Sequence, residues 1–306
     1  MDFRYNSIHY ILSSIRAPMP FKPIVDKDLV DDPVLPDEPL NLLKSGNYNK
    51  VPLICGANQN EGLLIKGFYE RSPEKYDEAF DNWGEIGPLA FFHREKDEYS
   101  GEESKICLDY REKYFGSTRF GSTGEGSRLL VQMYGDLMFH APADFLCRTL
   151  FEQDPELPVY GYMYNHQGYF SLYDVLVSKP WKLIIKALAM SLRLDSFRAR
   201  EGVCHGDELF MLFKGSILPD IAIGENDKRV RNSMIEKWVN FATNHKPTKD
   251  GSWSPFNTKN PQYLEIGTEE DKMMYPDSYR KRMEDWSTIY QQIPPKMRHD
   301  SSKTWD

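Results

Sequence analysis

The chain has 306 residues, of which 40% are hydrophobic and 13% aromatic, enough to bury a sizeable core and far from the composition of a disordered protein. Its 46 acidic and 38 basic residues leave a formal charge of −8 with no lysine- or arginine-rich block, which argues against an electrostatic nucleic-acid footprint. No apolar run reaches the roughly 18 residues expected of a membrane span.

Taken in chain order, residues 1–50 carry prolines at 18, 20, 23, 33, 36 and 39, which predicts extended and turning chain rather than long helix, with Phe21–Asp26 as a strand-like lead into the core. Met1–Pro20 has charges at Asp2, Arg4 and Arg16 and no small-residue cleavage site, so it does not read as a signal peptide. With the polar C-terminus and no Asn-x-Ser/Thr acceptor, this points to the cytoplasm, or to secretion if a leader precedes Met1. Val51–Leu64 is a short apolar run that breaks at Gly56 and reads as a buried strand followed by a turn. That turn delivers Glu61 just past the carboxyl end of the strand, where open α/β sheets build their sites. The plain alternative is a solvated turn acid, or an anion in the first turn of a helix beginning near Gly62.

Ser72–Phe92 is mixed, with Trp83, Phe91 and Phe92 as core or wall residues, and Glu102–Tyr114 has helical spacing with a stop at Gly116. Gly116-Ser117, Gly121-Ser122 and Gly126-Ser127 read as turns. Arg128–Phe151 is a helix that Pro142 should break or kink, and Pro158–Asn165 is a tyrosine-rich alternating strand. Lys182–Leu192 reads as a helix covering a cleft or packing on the core. Asp227–Asn244 places Val230, Met234, Ile235, Trp238, Phe241 and Ala242 on one face of an amphipathic helix. Gln262–Ile266 reads as a short edge strand and Ser278–Ile289 as a final helix. Strands alternating with helices predict an α/β fold, and no linker cuts the chain into independent domains.

Residues 201–213 hold one imidazole, His205, between Gly202 and Gly206 and ahead of an apolar run. Flanking glycines suit a histidine whose tip must reach into a cleft, although a lone loop histidine is also a common structural residue. Cys204 directly precedes it, which raises a Cys–His nucleophilic pair, but sequence neighbours rarely point the same way. Cys55, Cys107, Cys147 and Cys204 contain no Cys-x-x-Cys, so free thiols are expected and no zinc or redox couple. Asp207 and Glu208 could in principle ligate a metal, but no further residues have ligand spacing, so none is expected.

Asn60-Glu61-Gly62 and His205-Gly206-Asp207-Glu208-Leu209, with Phe210 and Phe213, resemble the catalytic-acid and catalytic-histidine motifs in the second half of the type-B carboxylesterase and cholinesterase family. Further similarity runs through Phe21–Asp26, Gly135-Asp136 with Phe139 and Pro142, Trp238–Ala242 and Trp253–Phe256, in the family's order. The resemblance implies the C-terminal portion of an α/β-hydrolase fold, an incomplete mixed sheet flanked by helices, with residues 1–306 as one partial domain. It implies that Glu61 orients the imidazole of His205, the general base and then general acid for a serine nucleophile. It also implies a hydrophobic carboxylic ester as substrate and no cofactor. Asp136 is implied as a buried support, and would then need hydrogen-bond partners to offset about 1–3 kcal/mol of desolvation.

The family's serine sits on a Gly-x-Ser-x-Gly elbow ahead of the acid, and no such run occurs anywhere in the 306 residues, nor does an HGGG-type oxyanion run. The chain therefore offers an acid and a base with nothing for the base to activate. The expected function is the C-terminal part of a serine esterase, inactive alone. The alternatives are a non-catalytic, cholinesterase-like adhesion protein with a protein partner, or a truncated product without function. Tyr162, Tyr164, Tyr169, Phe170, Trp181 and Phe213 either line an acyl or alcohol pocket, as the resemblance suggests, or fill the core.

Overall fold

The computed structural model describes residues 24–92, 99–178, 201–213, 224–267 and 269–292, with single positions in 182–192. In chain order the described elements are α1 (Pro39–Ser45), β1 (Leu53–Asn58), α2 (Leu63–Tyr69), α3 (Lys75–Asp81), α4 (Trp83–Phe92), α5 (Gly101–Phe115) and α6 (Gly124–Gly135). A π-helical turn (Asp136–His140) then leads into α7 (Ala141–Gln153), β2 (Val159–Asn165), α8 (Leu172–Val177), α9 (Leu209–Leu212), α10 (Glu225–Asn244), β3 (Tyr263–Gly267), β4 (Lys272–Met274) and α11 (Asp277–Gln292). They fall into two compact units, one from residues 1–49, 74–121 and 287–306, the other from 50–73 and 122–286. Because the chain passes between the units several times, no single linker marks them in the sequence.

In the first unit α4 lies against α5, and Trp83, Phe91, Phe92, Phe115 and Phe120 form its aromatic core. The Trp83 indole donates to the carbonyl of Cys107 at 3.1 Å, satisfying the polar edge of a fully buried ring. Ser100 caps α5 reciprocally with Glu103, and Gly116 ends it where the sequence places the stop. Ile24–Asp26, the described part of the expected Phe21–Asp26 strand, is not a strand. The Asp26 carboxylate instead accepts from the amides of Val34 and Leu35 at 3.0 and 2.8 Å, closing a loop on itself.

The second unit is built on a four-stranded mixed sheet in the order β1-β2-β3-β4, parallel across the first three strands and antiparallel at β4. Gln262–Ile266, expected at the edge, is therefore internal. β4 is only three residues long, too short to carry a periodic signal. On one sheet face Tyr160 and Tyr164 of β2 join Leu264 and Ile266 of β3, with Val230 and Met234 of α10 and the ring of Trp253 laid over them. The Trp253 indole donates to the carbonyl of Gly161 at 3.0 Å.

Tyr164 and Tyr169 thus belong to the core, and Tyr162 and Phe170 pack against it. Phe213 is 69% exposed, and Trp181 lies outside the described residues, as does most of Lys182–Leu192. On α10, Ile235 and Ala242 face outward rather than onto the core, because the buried stripe is narrower than the apolar pattern.

The expected Arg128–Phe151 helix begins earlier, at Gly124, so Gly126-Ser127 is helical and not a turn. Pro142 does not kink it at its own position. The ladder widens into the π turn just ahead of it and restarts as α7 with the proline in its first turn, where a missing N–H costs nothing.

Trp253 is 1% exposed and wedged over β2. Trp253→Ala should cost about 3–5 kcal/mol in urea unfolding, with Trp253→Phe recovering a good part of the loss. A loss within experimental scatter of zero would show that this side of the sheet is not packed as described.

Candidate active site

The site forms where the turn leaving β1 meets the segment 202–208. The amide of Gln59 donates to the carbonyl of Tyr164 at 2.9 Å, carrying the β1–β2 ladder one residue past the strand. Asn60 then changes partners. Its amide donates to the carbonyl of Val203 at 3.0 Å, and its side-chain oxygen accepts from the Val203 amide at 3.1 Å. This two-way clamp leaves no room for a side chain opposite. A Cβ on Gly202, whose φ is +132°, would come within 2.3 Å of Asn60 Oδ1. Gly62 is under a similar limit, since a Cβ there would lie 2.0 Å from the carbonyl oxygen of Val131 in α6.

Within this frame the Glu61 carboxylate is held at both oxygens. Oε1 accepts from the amide of Asn58 at 2.7 Å, and Oε2 lies 2.9 Å from Nδ1 of His205. A carboxylate only accepts, so Nδ1 carries the proton and the neutral ring presents its Nε2 lone pair. The Glu61 side chain is 5% exposed and that of His205 43%, so the acid is sealed in while the imidazole keeps an open edge. Phe139, in the π turn, lies against that ring with centroids 4.5 Å apart. The hydrogen bond to Glu61 raises the pKa of His205 above the ordinary histidine value, its burial working against this and the charges of Glu61, Glu208 and Asp207 reinforcing it.

The backbone around His205 is fixed by its neighbour Asp207, which accepts from the amides of Cys204 at 2.8 Å and Leu172 at 2.7 Å. Burial pushes the Asp207 carboxyl up to about 7, with the hydrogen bonds from Leu172, Ser171 and Cys204 pulling the other way. Cys204 is buried in an apolar cluster with Leu63, Val131 and Tyr173, and burial raises its thiol well above the usual range. That environment disfavours a thiolate and so counts against a Cys204–His205 nucleophilic pair. Among the described residues no group of three or more His, Cys, Asp or Glu converges as metal ligands, and Asp207 is engaged by backbone amides.

Asp136 opens the π turn and is 1% exposed. It finds the partner its burial demands in Arg282 of α11, whose Nε lies 2.6 Å from Oδ2. The pair sits in the wall of a cleft of about 590 Å³ that also takes in Gln59, Asn60, His140, Met163 and Tyr279. Neither Glu61 nor His205 lines that cleft. Sequence reasoning missed two participants. Arg282 lies in a helix whose charges look solvated, and Asn58 reads as the last residue of an apolar strand.

The acid is sealed behind the imidazole just past the carboxyl end of a parallel strand, an arrangement that can pass a proton through the open edge of the ring. The sequence profile of the carboxylesterase family matches residues 7–285. The chain belongs to the carboxylesterase family. It is 24% identical over 274 residues to a carboxylic ester hydrolase of Bombus ignitus, covering 88% of this chain and 45% of that protein. It is 23% identical to juvenile hormone esterase of Tribolium castaneum, covering 83% of this chain and 41% of that one, and 27% identical to carboxylesterase 1D of Rattus norvegicus, covering 84% and 39%. The chain thus spans less than half the length of these relatives. In structure it is similar to juvenile hormone esterase from Manduca sexta solved with OTFP covalently attached, with a TM-score of 0.68 and 20% identity over 89% of this chain and 47% of that one. That likeness shows the α/β-hydrolase fold, whose mixed sheet and flanking helices were expected from the sequence.

Because its folded pKa lies above the unfolded one, the Glu61–His205 pair contributes stability that is fully present below the unfolded histidine value and is lost as pH rises through the folded pKa. NMR titration should place the His205 midpoint above that of an exposed histidine, and Glu61→Gln should lower it. A midpoint unmoved by that substitution would contradict the pairing.

Proposed function

We propose that residues 1–306 form part of a carboxylesterase domain and supply the acid and base of a serine carboxylic-ester hydrolase. The observation that carries this reading is the 2.9 Å contact between Glu61 Oε2 and His205 Nδ1, with the rest of the imidazole partly open. In the proposed cycle His205 Nε2 takes the proton of a serine hydroxyl as that oxygen attacks the ester carbonyl. It then gives the proton to the departing alcohol, and repeats the exchange with water to release the acid. Glu61 holds the ring in the productive tautomer and stabilises its protonated form. Asp136 acts through packing, holding the π turn beneath the Gly62 backbone with Arg282. The substrate class is a hydrophobic carboxylic ester, in keeping with relatives named for carboxylic and juvenile hormone esters. No cofactor enters the scheme.

The serine and the oxyanion donors have no counterpart in this sequence, which contains no Gly-x-Ser-x-Gly. We infer that they come from polypeptide beyond this chain and that the chain alone does not turn over ester. The same gap favours, as a second reading, a non-catalytic member of the family that acts by binding a protein.

A serine-directed fluorophosphonate should fail to label the purified 306-residue chain, and stoichiometric labelling would contradict the missing nucleophile. In a longer polypeptide that contains this chain and hydrolyses esters, His205→Ala should lower kcat by about three to six orders of magnitude. A nearly unchanged rate would reject the base assignment, whereas a longer polypeptide with both residues intact and no hydrolysis would favour the binding protein.

A further inference from the structure

Asn58 is the last residue of β1, fully buried, and touches Glu61 and the residues flanking His205. Its backbone amide holds Glu61 Oε1 at 2.7 Å, leaving Oε2 for His205. Its side-chain nitrogen donates to the carbonyl of Cys204 at 2.7 Å and, in a very short contact, to Oε2 of Glu208. One amide thus grips the residues on both sides of the histidine, 146 and 150 positions away in sequence. Its Oδ1 is buried without a hydrogen-bond partner. An orphaned acceptor in the core costs about 1–3 kcal/mol, a cost that a hydrophobic residue at this strand end would avoid. What the amide supplies at this position is its nitrogen, which holds both partners.

We propose that Asn58 is a positioning residue for the acid–base pair, its side-chain amide anchoring the Glu208 carboxyl group and the Cys204 carbonyl on either side of His205. The proposal rests on the reading of Glu61 and His205 given above and deepens it. Glu208 is a second carboxylate whose charge reaches the imidazole, held by the same residue whose backbone amide holds Glu61. Its negative charge favours protonated His205, as the charges of Glu61 and Asp207 do. Burial works to neutralise Glu208 and the Asn58 amide opposes it, with Glu61 raising and His205 lowering its proton affinity. From β2, the phenols of Tyr162 and Tyr164 are close enough to feel the Glu208 charge, and burial raises the pKa of both. The other groups around His205 are Phe139, which carries no charge, and Asp207, which its own backbone donors restrain. Asn58 is the side-chain donor that holds Glu208 in place and, with the Glu208 backbone amide, opposes its neutralisation by burial.

The test is an NMR titration of the His205 imidazole in the full 306-residue chain, its signal among the seven histidines assigned by loss in His205→Asn. Asn58→Ala and Glu208→Gln should each shift the midpoint downward by similar amounts, and the double variant should shift it no further than either alone. If Asn58→Ala does not fold, Asn58→Leu, which removes the orphaned acceptor together with the donor, takes its place in the same titration, and Glu208→Gln measures the charge effect alone. A midpoint unchanged in Glu208→Gln, or fully additive shifts in the double variant, would overturn the proposal. Because the readout is the imidazole and not turnover, it can fail while the acid–base reading stands. Conversely, a loss of the Glu61 effect on His205 would remove that reading whatever Asn58 does.

Discussion

The two-way clamp between Asn60 and Val203 is the constraint on which the site depends. Glu61 and His205 are 144 positions apart, on segments with no shared secondary-structure element, and both are turn residues that local propensity alone would leave free. The clamp converts them into neighbours by extending sheet-like pairing one step beyond the β1–β2 ladder, from Tyr164 to Val203. Once Val203 is fixed, Asp207 holds the turn that follows by accepting from the amides of Cys204 and Leu172, which leaves the imidazole its rotamer freedom. Phe139 and the Glu61 carboxylate remove that freedom. Preorganisation here comes from backbone hydrogen bonds and from glycines that permit close approach, while the charges themselves act on proton affinity.

Around the clamp the fold supplies rigidity at different costs. One face of the sheet is sealed by aromatic packing under α10, with each buried indole or phenol finding a polar partner or a ring edge. On the other side the π turn carries Asp136, Phe139 and His140, and the Asp136–Arg282 ion pair holds it. A buried pair of this kind adds little net stability over apolar packing, but loss of one partner strands the other, so it specifies geometry more than it strengthens the fold.

Much of this was legible in the sequence because it is written in local patterns. The alternation in Pro158–Asn165, the amphipathic run of α10, the Gly116 stop and the glycines around His205 all mark elements that form where expected. Glu61 and His205 stood out because short polar motifs interrupt apolar runs there. What stayed hidden depended on tertiary partners. Nothing local in Gln262–Ile266 reveals that a three-residue strand pairs outside it, and nothing in Arg128–Phe151 distinguishes a proline kink from a π turn ahead of the proline. Asn58 and Arg282 take their roles from residues far along the chain, which composition and periodicity do not encode.

The central claim is that the acid–base pair is already assembled in this chain, with the Nδ1 proton of His205 held by Glu61. Low-field proton NMR of the chain labelled with ¹⁵N at histidine tests it most directly. The account predicts a slowly exchanging resonance, downfield of the amide envelope and coupled to the Nδ1 nitrogen of His205, that disappears in Glu61→Ala. A His205 ring whose Nδ1 proton exchanges like that of an imidazole in water, with no change on removing Glu61, would contradict it.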